Sequence, residues 1–277
     1  MVCLAREYAN CMNDMIGRSP GATTMKALAD IECNGPEQAH ERAFDPKGGG
    51  CGAAMRAVPI GLCFPVSQEL RTFVCAAQMG RITHAHPTGY LGAGAVALFT
   101  LFARANRPLA QWGKAMLDLM PQVRAFLVET KEGAKHVAAM EYFVKAWTMY
   151  VQERGIAAGS GEAVFPERYG VEERDKFIKS VAWRGPGVLS GWGGSSGHDA
   201  PMIAYDALLG CDGDWQELLS RGAFHCGDSD TTAIIACSWF GMKFGFRGVP
   251  NNHIQHLEYL DTLLELADDL RRILPTE

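Results

Sequence analysis

Residues 87–104 read PTGYLGAGAVALFTLFAR, and this stretch decides the fold class. The 17 residues from Pro87 to Ala103 carry no charge, yet they are fewer than the ~20 that cross a bilayer, and they include Gly89, Gly92 and Gly94. A helix buried in a protein core explains both properties. The sequence therefore predicts a core helix over residues 88–104 and no membrane-spanning segment.

Helical periodicity continues on both sides of this stretch. Upstream, Ser67 precedes Glu69 and an apolar helical face, which predicts a capped amphipathic helix. Downstream, Asp199 and Asp230 occupy predicted N-cap positions of two further helices. The remaining predicted helices cover residues 2–15, 109–130, 137–154 and 254–273. Because two-residue alternation is scarce, we predict an all-α fold in a single domain over residues 1–277.

The composition is that of a globular protein, since 48% of the 277 residues are hydrophobic and 21% are charged. The formal net charge of −5 does not attract polyanions broadly, which argues against nucleic acid as a partner. Nine cysteines are scattered without a C-x-x-C pair, and no basic segment followed by an apolar block opens the chain. These features predict reduced thiols in a cytoplasmic protein without a signal peptide.

The acidic loop, residues 225–232 with the sequence HCGDSDTT, offers the clearest candidate chemistry. Asp228 and Asp230 lie two residues apart and are followed by Thr231, so several hard oxygen atoms meet where a helix is predicted to begin. Mg²⁺, Mn²⁺ and Ca²⁺ prefer such ligands. The alternative interpretation is structural, with an Asx turn at Asp228 and a helix N-cap at Asp230.

Three other segments combine glycine, histidine or hydroxyl side chains. The glycine loop, residues 48–52, either directs backbone N–H groups at an anion or serves as a flexible connection. The histidine turn, residues 84–89, holds His84 and His86 either as a hydrogen-bonded corner or as metal ligands. The serine–glycine loop, residues 190–199, either closes over a polar ligand or is a solvated connection with Trp192 packed inward.

Taken in this order, the motifs resemble those of the ADP-ribosylglycohydrolase family, most closely its ADP-ribosylarginine hydrolase branch. The matching stretches are GGGCGAAMRA (48–57), GRITHAHPTGYLGA (80–93), QWGKAML (111–117), SGWGGSSGHDAPMIAYDALL (190–209) and FHCGDSDTTAIIACSWFG (224–241). The resemblance implies an all-α, single-domain fold whose central cleft binds ADP-ribose and two divalent ions, usually Mg²⁺. It also implies hydrolysis of the N-glycosidic bond between ADP-ribose and a protein arginine, and we expect a monomer.

The resemblance assigns site residues by their place in the family's motifs. Its late acidic motif falls on Asp228, Asp230 and Thr231, which would be metal ligands. The family's other motifs would contact the substrate. The glycine loop and the helix after it would cradle the pyrophosphate or the distal ribose, and the histidine turn and the serine–glycine loop would line the cleft. These substrate-binding positions are Gly50, Cys51, Gly52, Ala53, Arg56, His84, Trp192, Ser195 and Ser196. No catalytic residue is assigned.

One motif of the family has no counterpart in this sequence. Family members carry an early hydroxyl residue followed by Asp-Asp-Thr, whereas the only adjacent Asp pair here is Asp268-Asp269, in the predicted C-terminal helix. The family's opening segment, before what is here Val2, is also missing, so we expect an N-terminally incomplete domain. Two hypotheses follow: a Mg²⁺-dependent hydrolase, or a protein that binds ADP-ribose in the same cleft without turnover.

The scatter and the odd number of the cysteines generate a first test. Thiol titration of the denatured, unreduced protein should find nine free cysteines. A markedly smaller number would indicate disulfides and would contradict a reducing compartment.

Overall fold

The computed structural model describes residues 1–182 and 192–274, and these residues contain twelve α-helices and no β-strand. The prediction of an all-α fold is therefore confirmed. The helices are α1 (Val2–Asn10), α2 (Ala22–Asn34), α3 (Val58–Leu62), α4 (Glu69–Arg81), α5 (Pro87–Arg104), α6 (Trp112–Val128), α7 (Gly133–Glu153), α8 (Val171–Ala182), α9 (Asp199–Gly210), α10 (Trp215–Gly222), α11 (Ser229–Phe244) and α12 (Leu260–Ile273).

Helix α5 is the centre of the core, as its uncharged sequence predicts. Every residue from Pro87 to Ala103 is buried, and the helix packs against α3, α4, α7, α9 and α11. Around Phe99 the rings of Trp112, Trp147, Tyr205 and Trp239 lie with centroids 5.1–5.6 Å away, close enough for edge-to-face and tilted contacts. Each buried aromatic side chain contributes about 1.5–3 kcal/mol of hydrophobic stabilisation, so this cluster holds four helices onto α5.

Glycines on α5 let other backbone segments approach it closely. A Cβ at Gly92 would lie 1.8 Å from the carbonyl oxygen of Gly197, and one at Gly89 would lie 2.5 Å from that of Gly48. The absence of side chains at these two positions brings the glycine loop and the serine–glycine loop onto the N-terminal half of α5. The fold thereby gathers its polar loops at one end of its most apolar helix.

A buried ion pair joins α7 to α9. Nε of Arg154, the residue that follows α7, donates to Oδ1 of Asp206 at 2.6 Å, and the hydroxyls of Tyr150 and Tyr169 donate to the same carboxylate, each at 2.9 Å. The guanidinium also lies 3.7 Å from the centroid of the Phe177 ring on α8. Because the carboxylate is fully hydrogen-bonded, this charged pair is tolerated in the core and fixes the position of three helices.

Several predicted helix starts are wrong by a few residues. The residue before α4 is Gln68 rather than Ser67, and it makes no side-chain capping bond. Helix α9 begins at Asp199 itself, and α11 begins at Ser229 with Asp228 in the N-cap position instead of Asp230. In each case the polar residue lies in the first turn or beside it, where the backbone geometry, which residue type alone does not specify, selects the cap.

The chain ends differ more from the expectation. The predicted helix over residues 2–15 ends at Asn10 and continues as a 3₁₀ turn, Cys11–Asp14. The C-terminal helix begins at Leu260 rather than at residue 254, and most of its apolar side chains are exposed. All nine cysteines are free, as predicted. Within the described part of the chain, no helix combines the length and the apolar content that crossing a membrane requires.

The contact between α5 and the serine–glycine loop can be tested with one methyl group. Gly92→Ala should lower the free energy of unfolding by about 3 kcal/mol, because the added Cβ would overlap the Gly197 carbonyl oxygen. Gly241→Ala is the matched control on α11, where nothing lies within 4 Å of the new Cβ, and it should raise stability by about 0.5–1 kcal/mol. Urea unfolding measures both changes, and equal effects of the two substitutions would contradict the packing described.

Candidate functional site

Backbone hydrogen bonds join the glycine loop to the serine–glycine loop. Gly50 and Ser196 form an isolated antiparallel β-bridge. The Cys51 N–H donates to the Ser195 carbonyl at 2.9 Å, and the Gly197 N–H donates to the Gly49 carbonyl at 3.0 Å. The two predicted ligand-binding segments therefore form one rigid unit, and the glycine loop is not a flexible connection. Residues 190 and 191 of the serine–glycine loop lie outside the described residues.

The acidic loop attaches to the same unit through a second pair of glycines. The Asp228 N–H donates to the Gly193 carbonyl at 2.8 Å, and a Cβ at Gly227 would lie 2.0 Å from that carbonyl oxygen. Gly194 has φ = +87°, a left-handed conformation that a residue with a side chain rarely adopts. Close backbone contact thus places the predicted metal ligands next to the glycine loop, although 176 residues or more separate them in sequence.

The carboxyl groups of Asp228 and Asp230 interact with each other. Burial and then the neighbouring Asp230 carboxyl raise the pKa of Asp228, whereas the interaction with Asp228 lowers the pKa of Asp230. The thiol of Cys51 donates to Oδ2 of Asp228 at 3.1 Å, and it lies 3.6 Å from Oγ1 of Thr231. Burial, followed by the charge of Asp228, raises the pKa of Cys51 to about 12, so this thiol stays protonated. The site is thus a compact acidic cluster in which each carboxyl group affects the ionisation of the other.

This cluster has the donor set of a hard cation but only part of a coordination shell. Two carboxyl groups and the Thr231 hydroxyl are oxygen donors of the kind that Mg²⁺ binds, and a dication would offset the repulsion between the two carboxylates. Within residues 1–182 and 192–274, no three His, Cys, Asp or Glu side chains are arranged as a complete metal site. The residues present therefore fit a cation bound at one face, with its remaining ligands supplied by water or substrate.

Arg56 stabilises the glycine loop from behind. Its guanidinium donates to the Gly52 carbonyl at 2.8 Å and to the Thr83 hydroxyl at 2.6 Å, and it lies 4.4 Å from the centroid of the Tyr8 ring. These contacts hold two of the guanidinium nitrogens on the protein's own backbone and side chains. We therefore assign Arg56 a positioning role in the described structure, distinct from the phosphate contact that its motif suggests.

His84 faces the glycine loop as a neutral imidazole. Burial lowers the pKa of His84 to about 3. Because the Thr83 hydroxyl accepts from Arg56, its hydrogen is available for His84 Nδ1 at 2.8 Å, which leaves the ring proton on Nε2. A Cβ at Gly50 would lie 3.5 Å from Nε2, and one at Gly52 would lie 3.2 Å from it. The His84 side chain therefore fills the space that the missing side chains of the glycine loop leave open.

The serine–glycine loop uses its polar groups mainly to hold its own shape. The Ser195 hydroxyl donates to the Trp192 carbonyl at 2.6 Å, and the Ser196 N–H donates to Oδ1 of Asp199 at 3.1 Å. Both serines are buried, whereas the Trp192 side chain is 58% exposed. The alternative in which Trp192 packs inward is therefore wrong. The next residue in the chain, Gly193, accepts the Asp228 N–H and so connects this part of the loop to the acidic loop.

Two further imidazoles, those of His136 and His198, lie near the histidine turn. His86 accepts from the Thr88 N–H at 3.1 Å and so caps α5, and Nδ1 of His84 is hydrogen-bonded to Thr83. The H-x-H pair thus forms the hydrogen-bonded corner of the first alternative. The rings of His86 and His136 both pack against Phe44, and His198 packs against Tyr142. Each of these three imidazoles keeps one buried ring nitrogen without a partner. The isolated His136 gave no sequence signal, whereas His198 belongs to the serine–glycine loop.

Comparison with known proteins gives a consistent family assignment. The family model of the ADP-ribosylglycohydrolases matches residues 2–276. A Dictyostelium discoideum protein named ADP-ribosylhydrolase ARH1 is 35% identical over an alignment that covers 96% of this chain and 72% of that protein. A relative from Acanthamoeba polyphaga mimivirus, provisionally named an ADP-ribosyl glycohydrolase, is 28% identical over 95% of this chain, which spans about half (51%) of the viral protein.

The buried imidazoles should make the fold sensitive to acid. Burial lowers the pKa of His86, His136 and His198 from 6.5 to about 4. Between those values the unfolded chain takes up protons that the folded protein excludes, so stability is complete above pH 6.5 and declines as the pH falls toward 4. The loss should be on the order of 1–3 kcal/mol per imidazole. His136→Phe should make the free energy of unfolding less dependent on pH, whereas His256→Gln, at an exposed position, should leave that dependence unchanged. Urea unfolding of both variants between pH 7 and pH 4 measures the difference.

Proposed function

The chain belongs to the ADP-ribosylglycohydrolase family, and on that premise we propose that it releases ADP-ribose from modified arginine side chains of proteins. Hydrolysis of ADP-ribose conjugates is what the family and the named relatives have in common. One observation supports a site for it in this chain: Cys51, in the glycine loop, donates a hydrogen bond to Asp228, in the acidic loop. A ligand bound by the glycine loop would therefore also contact the side chains of the acidic loop.

We further propose Mg²⁺ as the cation, with Asp228, Asp230 and Thr231 as its protein ligands. When bound, Mg²⁺ neutralises charge on the substrate and activates water. Two like charges in contact favour a dication, and the hydroxyl of Thr231 adds a hard neutral ligand. Where a second ion binds, as the resemblance implies, its ligands would come from substrate, water and residues other than these three.

The protein's own groups bind and orient the substrate in this proposal. The glycine loop would present its backbone to a pyrophosphate or ribose, and the uncharged His84 ring packs behind Gly50 and Gly52. Arg56 and Ser195 hold the loops at fixed positions, so little ordering is required when the substrate arrives. The exposed Trp192 ring offers a flat apolar face for the adenosine end or for the arginine side chain.

A second candidate function is ADP-ribose binding without turnover. The family's early pair of acids has no counterpart here, since the only adjacent Asp pair, Asp268-Asp269, is exposed on α12. The glycine-loop side of the cleft does not depend on those acids. Binding would therefore persist where hydrolysis is slow.

The cellular setting is proposed on more general grounds. The nine free thiols favour a reducing compartment, for which we propose the cytoplasm. The net charge of −5 makes protein-linked ADP-ribose a better partner than nucleic acid. We propose one domain, extending over the residues that the family model matches, and a monomer.

The ligand side of the site can be tested by binding. Gly52→Val should weaken ADP-ribose binding at least tenfold, since its Cβ would lie 2.9 Å from Cε1 of His84 and would push the glycine loop away from that ring. Gly21→Val is the matched control, because nothing lies within 4 Å of its new Cβ. Calorimetry measures the affinities, with thermal melts to confirm that both variants fold. Equal affinity of Gly52→Val and the parent would remove the glycine loop from the site.

The metal side needs a separate measurement of turnover. Release of ADP-ribose from a modified arginine substrate should require Mg²⁺, and Asp228→Asn or Asp230→Asn should lower it at least 100-fold, because each removes an anionic ligand. Calorimetric titration with Mg²⁺ alone should show the same loss of binding. Turnover that is equal with and without Mg²⁺ would contradict the proposed ligands, and ADP-ribose binding without turnover would select the second function.

A further inference from the structure

Two threonines follow the acidic pair, and their hydroxyl groups point to different parts of the protein. The Thr231 hydroxyl lies 3.6 Å from Sγ of Cys51 and 3.9 Å from Sδ of Met55, so it faces the glycine loop and the residues after it. The Thr232 side chain is fully buried, and its hydroxyl contacts the end of α10 and the ring of His225. Successive residues of a helix point about 100° apart, so one hydroxyl can serve the proposed metal site while the other holds the protein together.

The Thr232 hydroxyl joins α10, the acidic loop and α11 through one oxygen atom. It lies 2.7 Å from the Gly222 carbonyl at the end of α10 and 2.7 Å from Nε2 of His225. Because a hydroxyl has a single hydrogen and a carbonyl can only accept, the Thr232 hydrogen goes to Gly222 and the His225 Nε2–H donates to the Thr232 oxygen. The His225 imidazole therefore carries a proton on Nε2 and uses it within the protein.

The Gly222 carbonyl is a fixed anchor for this arrangement. A Cβ at Gly222 would lie 3.2 Å from Cβ of Ala236 on α11 and 3.3 Å from Cβ of Ala207 on α9, so the end of α10 packs closely against both helices. The carbonyl is thus held where α9, α10 and α11 meet. Since His225 and Thr232 are the first and last residues of the acidic loop, their bond closes the loop, and the bond to Gly222 attaches it to this junction.

The methyl group of Thr232 packs against the serine–glycine loop. A Cβ at Gly194 would lie only 2.6 Å from this methyl carbon, so the backbone of that loop passes directly over Thr232. The Thr232 N–H donates to the Asp228 carbonyl at 3.2 Å, and the Asp228 N–H donates to the Gly193 carbonyl at 2.8 Å. Both backbone polar groups of Asp228 are therefore held, one by Thr232 and the other by the serine–glycine loop.

We propose that Thr232 and His225 are positioning residues of the acidic site and set its Mg²⁺ affinity without contacting the ion. This inference rests on the metal ligands proposed above. Loss of the Thr232 hydroxyl would release the His225 ring and the Gly222 carbonyl together, so the acidic loop would lose its attachment to α10. The carboxyl groups of Asp228 and Asp230 would then occupy a wider range of positions, and a cation would bind them more weakly.

Two substitutions separate the contributions of the hydroxyl and the methyl group of Thr232. Thr232→Val removes the hydroxyl and keeps the packing, and it should weaken Mg²⁺ binding about tenfold or more. Thr232→Ser keeps the hydroxyl and removes the methyl group, and it should bind Mg²⁺ nearly as tightly as the parent. Calorimetric titration with Mg²⁺ alone measures both affinities.

His225 is tested by a matched pair of substitutions. His225→Phe keeps a ring but has no donor, so it should weaken Mg²⁺ binding as Thr232→Val does. His225→Gln has a side-chain amide nitrogen that can donate in place of Nε2, and it should recover most of the affinity. Recovery by glutamine would not be expected if the ring only filled space.

Further measurements separate positioning from stability alone. Ser238→Ala removes another hydroxyl of α11, one that donates to the Ile234 carbonyl at 2.6 Å, and it should leave Mg²⁺ affinity unchanged. ADP-ribose affinity without metal should be the same in Thr232→Val as in the parent, because the glycine loop does not use this hydroxyl. Thermal melts confirm that each variant is folded at the temperature of titration.

The outcomes distinguish this inference from the proposed function. Equal Mg²⁺ affinity of Thr232→Val, His225→Phe and the parent would overturn the positioning role and leave the proposed ligands intact. A parent that binds no Mg²⁺ would overturn both. Parallel losses of Mg²⁺ and ADP-ribose binding would also overturn the positioning role, because they would indicate a general disturbance of the fold.

Discussion

The contact between two backbones, at Gly92 on α5 and at Gly197 in the serine–glycine loop, is the constraint on which the site depends. A single methyl group at Gly92 would lie 1.8 Å from the Gly197 carbonyl oxygen. The serine–glycine loop can approach α5 this closely only because the helix has no side chain at Gly92. Ser196 consequently pairs with Gly50, and Gly193 receives the Asp228 N–H. Each predicted site segment is thereby located relative to one buried helix.

That dependence explains why so apolar a helix supports a polar site. The aromatic cluster around Phe99 immobilises the middle of α5, and His86 caps its N-terminus by accepting the Thr88 N–H. A helix fixed at both places transmits little motion to the loops that rest on it. The polar atoms of those loops bond mostly to one another, as the Ser195 hydroxyl does with the Trp192 carbonyl. Ligand binding would therefore meet a surface that is already formed.

The sequence predicted the fold class, but it did not specify the hydrogen bonds and packing contacts that arrange the candidate site. The uncharged run of α5 and the 3.6-residue periodicity were sufficient for an all-α fold. Composition could not show that the Arg56 guanidinium turns back to the Gly52 carbonyl, since that depends on the position of Tyr8 more than 40 residues earlier. His136 likewise carries no motif, and only tertiary packing against Phe44 and Tyr90 makes it a buried neutral base.

Asp228 and Asp230 stand at the N-terminus of α11, where the helix dipole favours negative charge but does not remove their mutual repulsion. The Asp228 N–H donates to the Gly193 carbonyl, so the serine–glycine loop fixes the backbone position at which the two carboxyl groups meet. A cation bound by both carboxyl groups would relieve the repulsion, and it would thereby stabilise the one conformation of the acidic loop that the contact with the serine–glycine loop selects.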